Sequence, residues 1–171
     1  FSWWTAGGSR ERRGAGIAGV SALYLVRHGQ AAFGSDDYDR LTPLGVEQCA
    51  SLARHWRTIG REPGLIYAGA MRRHRESAEA FADALVAEGA AVPAIETVPG
   101  LEEYDHVALL ERFARLNAGV PDFAACWRDR RVLQRTLERA LAAWTRGDVS
   151  GFGAFAEFRD RCAAALTGVM A

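Results

Sequence analysis

An Arg-His-Gly sequence directly follows a short apolar run near the start of the chain. The run, Ala22–Val26, has the β-prone composition of a buried strand in a parallel sheet, and Arg27, His28 and Gly29 stand at its carboxyl end. Open α/β sheets bind their ligands at that edge. A neutral imidazole can accept a phosphoryl group near pH 7, a guanidinium offers a planar fork of donors to phosphate oxygens, and glycine permits close backbone approach. Taken alone, however, the three residues favour a more ordinary interpretation, a histidine bonded to a nearby carbonyl.

A cluster of arginines marks the start of a predicted helix at Met71 to Glu88. Arg72, Arg73 and Arg75 lie in its first turn, where the helix dipole favours anions and disfavours cations. A bound phosphate would relieve that conflict. The alternative is a solvated helix start, the usual outcome for an Arg-rich turn.

The order of elements predicts an α/β fold with a mostly parallel sheet flanked by helices. Further strands are expected at Leu65 to Ala68 and, more weakly, at Ala94 to Val98. A helix begins after the N-cap Thr42, with Pro43 at its first position, and its stripe carries Leu44, Gln48, Leu52 and Trp56, widened by Cys49 and Ala53. The core face of the helix from Met71 carries Met71, Ala78, Phe81, Ala82, Leu85 and Val86. Helical patterns then follow at about Asp122 to Trp144 and from Phe155 to Val169, separated by a break at Gly147 to Gly153. Strands alternating with helices are typical of parallel sheets.

Four segments resemble, in the right order, motifs of the histidine phosphatase superfamily, the phosphoglycerate mutase-like family. Leu23–Gln30 matches its strand followed by Arg-His-Gly, and Leu41–Gln48 matches its Leu-Thr-x-x-Gly-x-x-Gln helix start. Gly69–Ala78 is similar to its Ser-Pro-Leu-x-Arg-Ala-x-Gln-Thr-Ala segment, and Leu101–Glu103 resembles its Leu-x-Glu. Each match alone is weak, whereas four in sequence order are specific.

The resemblance implies a role for each matched residue. His28 would be the nucleophile that becomes phosphorylated, and Glu103 the proton donor. Arg27 and Arg73 would bind the phosphate. Gly29, Gln30 and His106 are candidates for lining the pocket, and no metal or nucleotide cofactor is implied. Glu103 could instead be an exposed loop carboxylate, as we expect for Glu102, and we interpret His74 and His106 first as packing or surface histidines and His55 as structural.

Two departures from the family bear on function. Mutases and sugar bisphosphatases continue Arg-His-Gly with a small hydroxyl residue and an Asn, where this chain has Ala31 and Gly34. This favours a phosphomonoester hydrolase, or a phosphohistidine-type hydrolase, over a phosphoglycerate mutase. The family also has a second histidine in a Val-x-x-His-Gly segment after the last helix, and no histidine follows His106. We therefore expect that the domain is truncated at its C-terminus and that it is nearly inactive alone. We also expect the reading frame to continue and to encode, within about 30 residues, an apolar run that ends near His-Gly.

Composition narrows the alternatives. A formal net charge of zero predicts neither nucleic-acid nor membrane binding, so the expected partner is a small phosphorylated substrate or a phosphoprotein, with the oligomeric state left open. Three widely spaced cysteines favour the cytoplasm. Residues 1–19 read as a disordered or non-native leader and residues 20–171 as the domain.

Two rival functions remain. A non-catalytic module of the same fold would bind phospholigands without forming phosphohistidine. Gly14–Gly19 spells a G-x-G-x-x-G, but it precedes a strand instead of following one, so a dinucleotide site is a distant alternative.

Overall fold

A computed structural model describes residues 22–32, 37–121, 126 and 128–171. The leader expected at residues 1–19, the Gly14–Gly19 segment and Gly34 lie outside these residues, and the domain boundary at residue 20 stays a prediction. No helix within the described residues has the length and apolar character that crossing a membrane requires.

The described elements form an α/β arrangement, as predicted. The helices are α1 (Pro43–Thr58), α2 (Arg72–Ala87), α3 (His106–Leu116), α4 (Arg130–Thr145) and α5 (Phe155–Met170), the strands are β1 (Ile66–Ala68) and β2 (Ile95–Thr97), and Pro99–Leu101 is a 3-10 turn. The two strands pair in parallel, with Ile66 opposite Ile95. Because α2 lies between them in the sequence, they form the strand–helix–strand unit that the pattern indicates.

The predicted first strand is wrong. Ala22–Val26 forms no strand, and among the described residues the sheet contains β1 and β2 alone. Leu25 is 52% exposed, while Tyr24 and Val26 pack, half-buried, against the core. An apolar run indicates which residues prefer burial, but a strand also needs a partner backbone to satisfy its N–H and C=O groups.

Helix α1 begins as predicted, and the face that it buries agrees with the predicted stripe in part: Cys49, Ala53 and Trp56 are buried as expected. The hydroxyl of Thr42 accepts a hydrogen bond from the Gly45 N–H, and Pro43 is the first helical residue. Leu44 and Gln48, expected on the core stripe, are exposed. The buried residues are Gly45, Cys49, Ala53 and Trp56. The stripe is turned because the Arg-His-Gly loop packs on Gly45.

Helix α2 agrees with its predicted range, although its core face is narrower. Ala78, Phe81 and Leu85 are buried, whereas Val86 is 58% exposed. Its N-terminal half buries three polar residues in addition: Arg73, His74 and Ser77.

The helical stretch predicted at about Asp122 to Trp144 is interrupted at Asp129: Cys126 and Arg128 are helical, and α4 begins at Arg130. The Asp129 side chain accepts hydrogen bonds from the backbone N–H groups of Arg131 and Val132, which defines the start of the helix. Part of the predicted stretch, residues 122–125 and 127, lies outside the described residues. Helix α3 is separate and is capped by Asp105, which accepts from the Ala108 N–H.

The described residues form two compact units. The first comprises residues up to Glu102 together with Ala164–Ala171, and the second comprises Glu103–Ala163. The first has a core in which the Trp56 and Phe81 rings meet edge to face, 5.1 Å between centroids. The second has its own core, in which Leu109, Leu110 and Phe113 of α3 and Leu133, Ala140 and Trp144 of α4 are buried.

Candidate active site

His28 is half-buried, and one of its ring nitrogens is engaged locally. Its Nδ1 lies 2.6 Å from the carbonyl oxygen of Gly29. A carbonyl can only accept, so Nδ1 carries the proton in this contact, and the neutral ring then has its lone pair on Nε2. The contact thus favours the tautomer with its proton on Nδ1, in which the nucleophilic lone pair is on Nε2.

A cavity of about 230 Å³ opens beside His28 in the first unit. It is lined by Val26, Arg27, His28, Gly29, Gln48, Cys49, Leu52, Ser77 and Phe81. Arg27 is exposed, so its guanidinium can meet a ligand arriving from solvent. Of the predicted site residues, Arg27, His28 and Gly29 therefore share one cavity. No group of three or more His, Cys, Asp or Glu residues within the described ranges is arranged to hold a metal ion.

The loop that carries His28 is packed tightly on the start of α1. A Cβ atom on Gly29 would lie 2.3 Å from the Gly45 carbonyl oxygen, and one on Gly45 would lie 2.3 Å from the Gln30 carbonyl oxygen. Both glycines are therefore required for this close approach. Gln30 is exposed and does not line the cavity; its N–H donates to the Gln48 side chain and its carbonyl accepts from the Thr42 N–H, both at 2.9 Å.

Ser77 joins this loop to α2, and its role was missed at the level of sequence. Its hydroxyl donates to the Arg73 carbonyl oxygen at 2.7 Å and accepts from the Gly29 N–H at 3.0 Å. The side chain is 1% exposed. One buried hydroxyl thus connects the backbone beside the candidate nucleophile with the backbone of a candidate phosphate ligand. The signal was present, because Ser77 falls on the Thr of the family's Gln-Thr-Ala.

Arg73 is almost fully buried and forms an ion pair with Asp39. Asp37 and Glu76 pair with its neighbour Arg72, at 2.6 and 2.5 Å. Arg72 and Arg73 at the start of α2 are therefore compensated by carboxylates of the chain itself. The helix start therefore does not by itself call for a bound phosphate, and Arg73 as a phosphate ligand stays a prediction that rests on the family motif.

His74 is a buried neighbour of His28, in keeping with the packing role expected for it. It is fully buried, and its ring lies 6.0 Å from the His28 ring between centroids, inclined by 27°. A Cβ atom on Gly69 would lie 2.4 Å from the His74 Nδ1. The family segment has Ser at the position of Gly69 and Ala at the position of His74. The missing side chain at Gly69 therefore makes room for the imidazole of His74.

Cys49 is buried and lines the cavity. Burial raises the pKa of its thiol, and hydrogen bonds with Ser77 and with the Gly29 backbone partly oppose that rise. Because the thiolate is disfavoured, Cys49 is a poor nucleophile at neutral pH.

Glu103 and His106 belong to the second unit. Both are half-buried, and so is Glu102, so exposure does not separate the two glutamates as expected. Burial, and secondly the charge of Glu103, raise the pKa of the adjacent Tyr104. His106 begins α3 directly after its cap Asp105. The roles assigned to Glu103 and His106 therefore stay predictions.

Comparison with known protein families agrees with the fold and the motifs. The profile of the Histidine phosphatase superfamily (branch 1) matches residues 23–171. The chain belongs to this superfamily, whose members are typically phosphatases or mutases. Searches of curated proteins and of solved structures found no significant match.

Proposed function

We propose that the protein is a phosphomonoester hydrolase that acts through a phosphohistidine intermediate on His28. The observation that carries the proposal is the Nδ1 contact with the Gly29 carbonyl oxygen beside a cavity, which in the neutral ring puts the proton on Nδ1 and the lone pair on Nε2. Membership of the superfamily supports phosphoryl transfer in general. The absence of a hydroxyl residue and an Asn after Arg-His-Gly favours transfer to water over transfer within a glycerate.

The reaction proceeds in two steps. The His28 Nε2 attacks phosphorus, the P–O bond to the alcohol breaks, and protonated Glu103 gives its proton to the leaving oxygen. Water, deprotonated by Glu103, then attacks the phosphohistidine and releases inorganic phosphate and free imidazole. Arg27 and Arg73 neutralise charge on the phosphoryl oxygens, which is the main contribution a protein makes to such a transfer.

The substrate is a small phosphorylated molecule or a phosphoprotein, and the proposed location is the cytoplasm. Neither step requires a metal or a nucleotide, since His28 supplies the nucleophile and arginines supply the positive charge.

The test is to trap the intermediate in protein expressed from its natural reading frame. After brief reaction with ³²P-labelled phosphomonoester and an alkaline quench, which preserves phosphohistidine, label is expected on His28 and not in the His28→Ala variant. His55→Ala is the matched control, since His55 is an exposed histidine on α1. Label that persists in His28→Ala would refute the nucleophile. Phosphate binding without label in the wild type would favour the non-catalytic binding module.

A further inference from the structure

Asp39 compensates the buried guanidinium of Arg73 from a distant part of the chain. The Arg73 side chain is 3% exposed and that of Asp39 is 29% exposed, and the Arg73 Nη1 pairs with the Asp39 Oδ1. A guanidinium buried to this degree is stable only when an anion or other acceptors replace its water.

The second oxygen of the same carboxylate caps α2. The Asp39 Oδ2 accepts a hydrogen bond of 2.8 Å from the Arg72 N–H, while the N-cap residue Met71 makes no side-chain capping bond. The first turn of α2 contains no acidic residue. Each oxygen of Asp39 therefore has its own partner, and this fixes the plane of the carboxylate relative to both α2 and the guanidinium.

The segment that carries Asp39 is itself fixed to the first unit. Leu41 forms an isolated antiparallel bridge with Ala31, and its N–H donates to the Glu76 side chain at 2.6 Å. The Ala32 N–H donates to the Arg40 carbonyl oxygen at 2.9 Å. Asp39 is thus held in place by contacts that do not depend on a ligand.

We propose that Asp39 is the positioning residue for Arg73, which it holds ready for the phosphoryl group. The inference rests on the proposed function, in which Arg73 binds phosphate. A guanidinium carries its five N–H donors in one rigid plane, so a carboxylate at Nη1 orients the whole plane. An arginine ordered before binding does not lose side-chain freedom when the ligand arrives.

Asp39→Asn is the informative change. The amide keeps one acceptor oxygen but turns an NH₂ donor toward either the Arg72 N–H or Arg73, so it cannot satisfy both. The change also removes a negative charge near the site, which by itself would tighten phosphate binding. If phosphate binding nevertheless becomes weaker, the cause is that Arg73 is no longer held in position. We expect the inhibition constant of inorganic phosphate to rise about 10- to 100-fold, the equivalent of one hydrogen bond to a charged group.

The matched control is Asp37→Asn, the same substitution in the same segment. Asp37 pairs with Arg72 and lies near Arg40, and it is 54% exposed. We expect its phosphate inhibition constant to stay within about twofold of the wild type, as for an exposed ion pair. If Asp39→Asn fails to fold, Asp39→Glu keeps the charge but is one methylene too long for both contacts, so it should fold and still weaken phosphate binding.

Arg73→Gln completes a double-mutant cycle. If Asp39 acts through Arg73, adding Asp39→Asn to Arg73→Gln should weaken phosphate binding no further. Any one of four results would overturn the positioning role. Phosphate binding could become tighter in Asp39→Asn, weaken equally in Asp37→Asn, or stay unchanged in a folded Asp39→Glu. Asp39→Asn could also weaken phosphate binding by the full factor when it is added to Arg73→Gln. Failure of the proposed function is read separately, from the absence of ³²P on His28 in the wild type.

Discussion

Removing the Ser77 hydroxyl breaks the direct link between the His28 loop and α2. In Ser77→Ala the buried Gly29 N–H loses its oxygen acceptor at 3.0 Å and keeps only the sulfur of Cys49, a weak acceptor, and the hydroxyl's bond of 2.7 Å to the Arg73 carbonyl oxygen also disappears. An unsatisfied buried donor costs about 1–3 kcal/mol. Alanine recovers about 0.5 kcal/mol through its higher helix propensity. The unsatisfied donor dominates, and the free energy of unfolding should fall by about 1.5 kcal/mol.

That loss corresponds to a fall in Tm of about 3–6 °C for a protein of this size. Because Gly29 adjoins the candidate nucleophile, a loop displaced by a fraction of an ångström should also lower kcat/KM, by about tenfold or more. Thermal and urea unfolding followed by circular dichroism measure the first effect, and steady-state kinetics on a phosphomonoester measure the second.

Ser51→Ala is the control for Ser77→Ala. Ser51 is an exposed serine on α1 whose hydroxyl bonds only to the exposed side chains of Glu47 and Arg54 in the described structure. Its loss should change stability by less than about 0.5 kcal/mol. Ser77→Thr, which keeps the hydroxyl, should retain more activity than Ser77→Ala. Equal losses of stability in Ser77→Ala and Ser51→Ala would show that the reasoning about the buried hydroxyl is wrong.

Two further predictions concern titration and proton transfer. Because burial raises the pKa of Cys49 above its ordinary value of 9.0, iodoacetamide at pH 7.5 should modify the half-buried Cys162 faster than Cys49. The difference between the two rates should shrink as the pH rises beyond 9. Peptide mass spectrometry measures both rates, and equal rates at pH 7.5 would contradict this prediction. If Glu103 is the general acid, Glu103→Gln should lower turnover about 10²–10⁴-fold on an alkyl phosphate and far less in the phosphorylation step on a nitrophenyl phosphate, whose leaving group departs without a proton. Glu102→Gln is the control, and a greater sensitivity at Glu102 would move the acid by one residue.

Local signals predicted the elements on which the site is built. Thr42 and Pro43 define the start of α1 because capping acts within one turn of the helix. The apolar runs around Ile66 and Ile95 became parallel strands, and the periodicity from Met71 became α2. These signals depend on residues a few positions apart, so the sequence alone is sufficient for them.

The same reasoning failed where the outcome depends on a partner element. Ala22–Val26 has the composition of a strand, but pairing requires a neighbouring backbone, and Leu25 is exposed instead. The core stripe of α1 turned from Leu44 toward Gly45 because the loop at Gly29 packs there. Composition cannot anticipate either result.

By itself, the sequence determined the superfamily and the identity of the candidate nucleophile, since the Arg-His-Gly motif and its companions are contiguous and ordered along the chain. Only the tertiary structure decided which side chains surround them. Ser77 reaches Gly29 across 48 positions, and Asp39 reaches Arg73 across 34. Contacts at such separations exist only after α1 and α2 have packed, because burial brings the polar groups together and then requires each of them to find a partner.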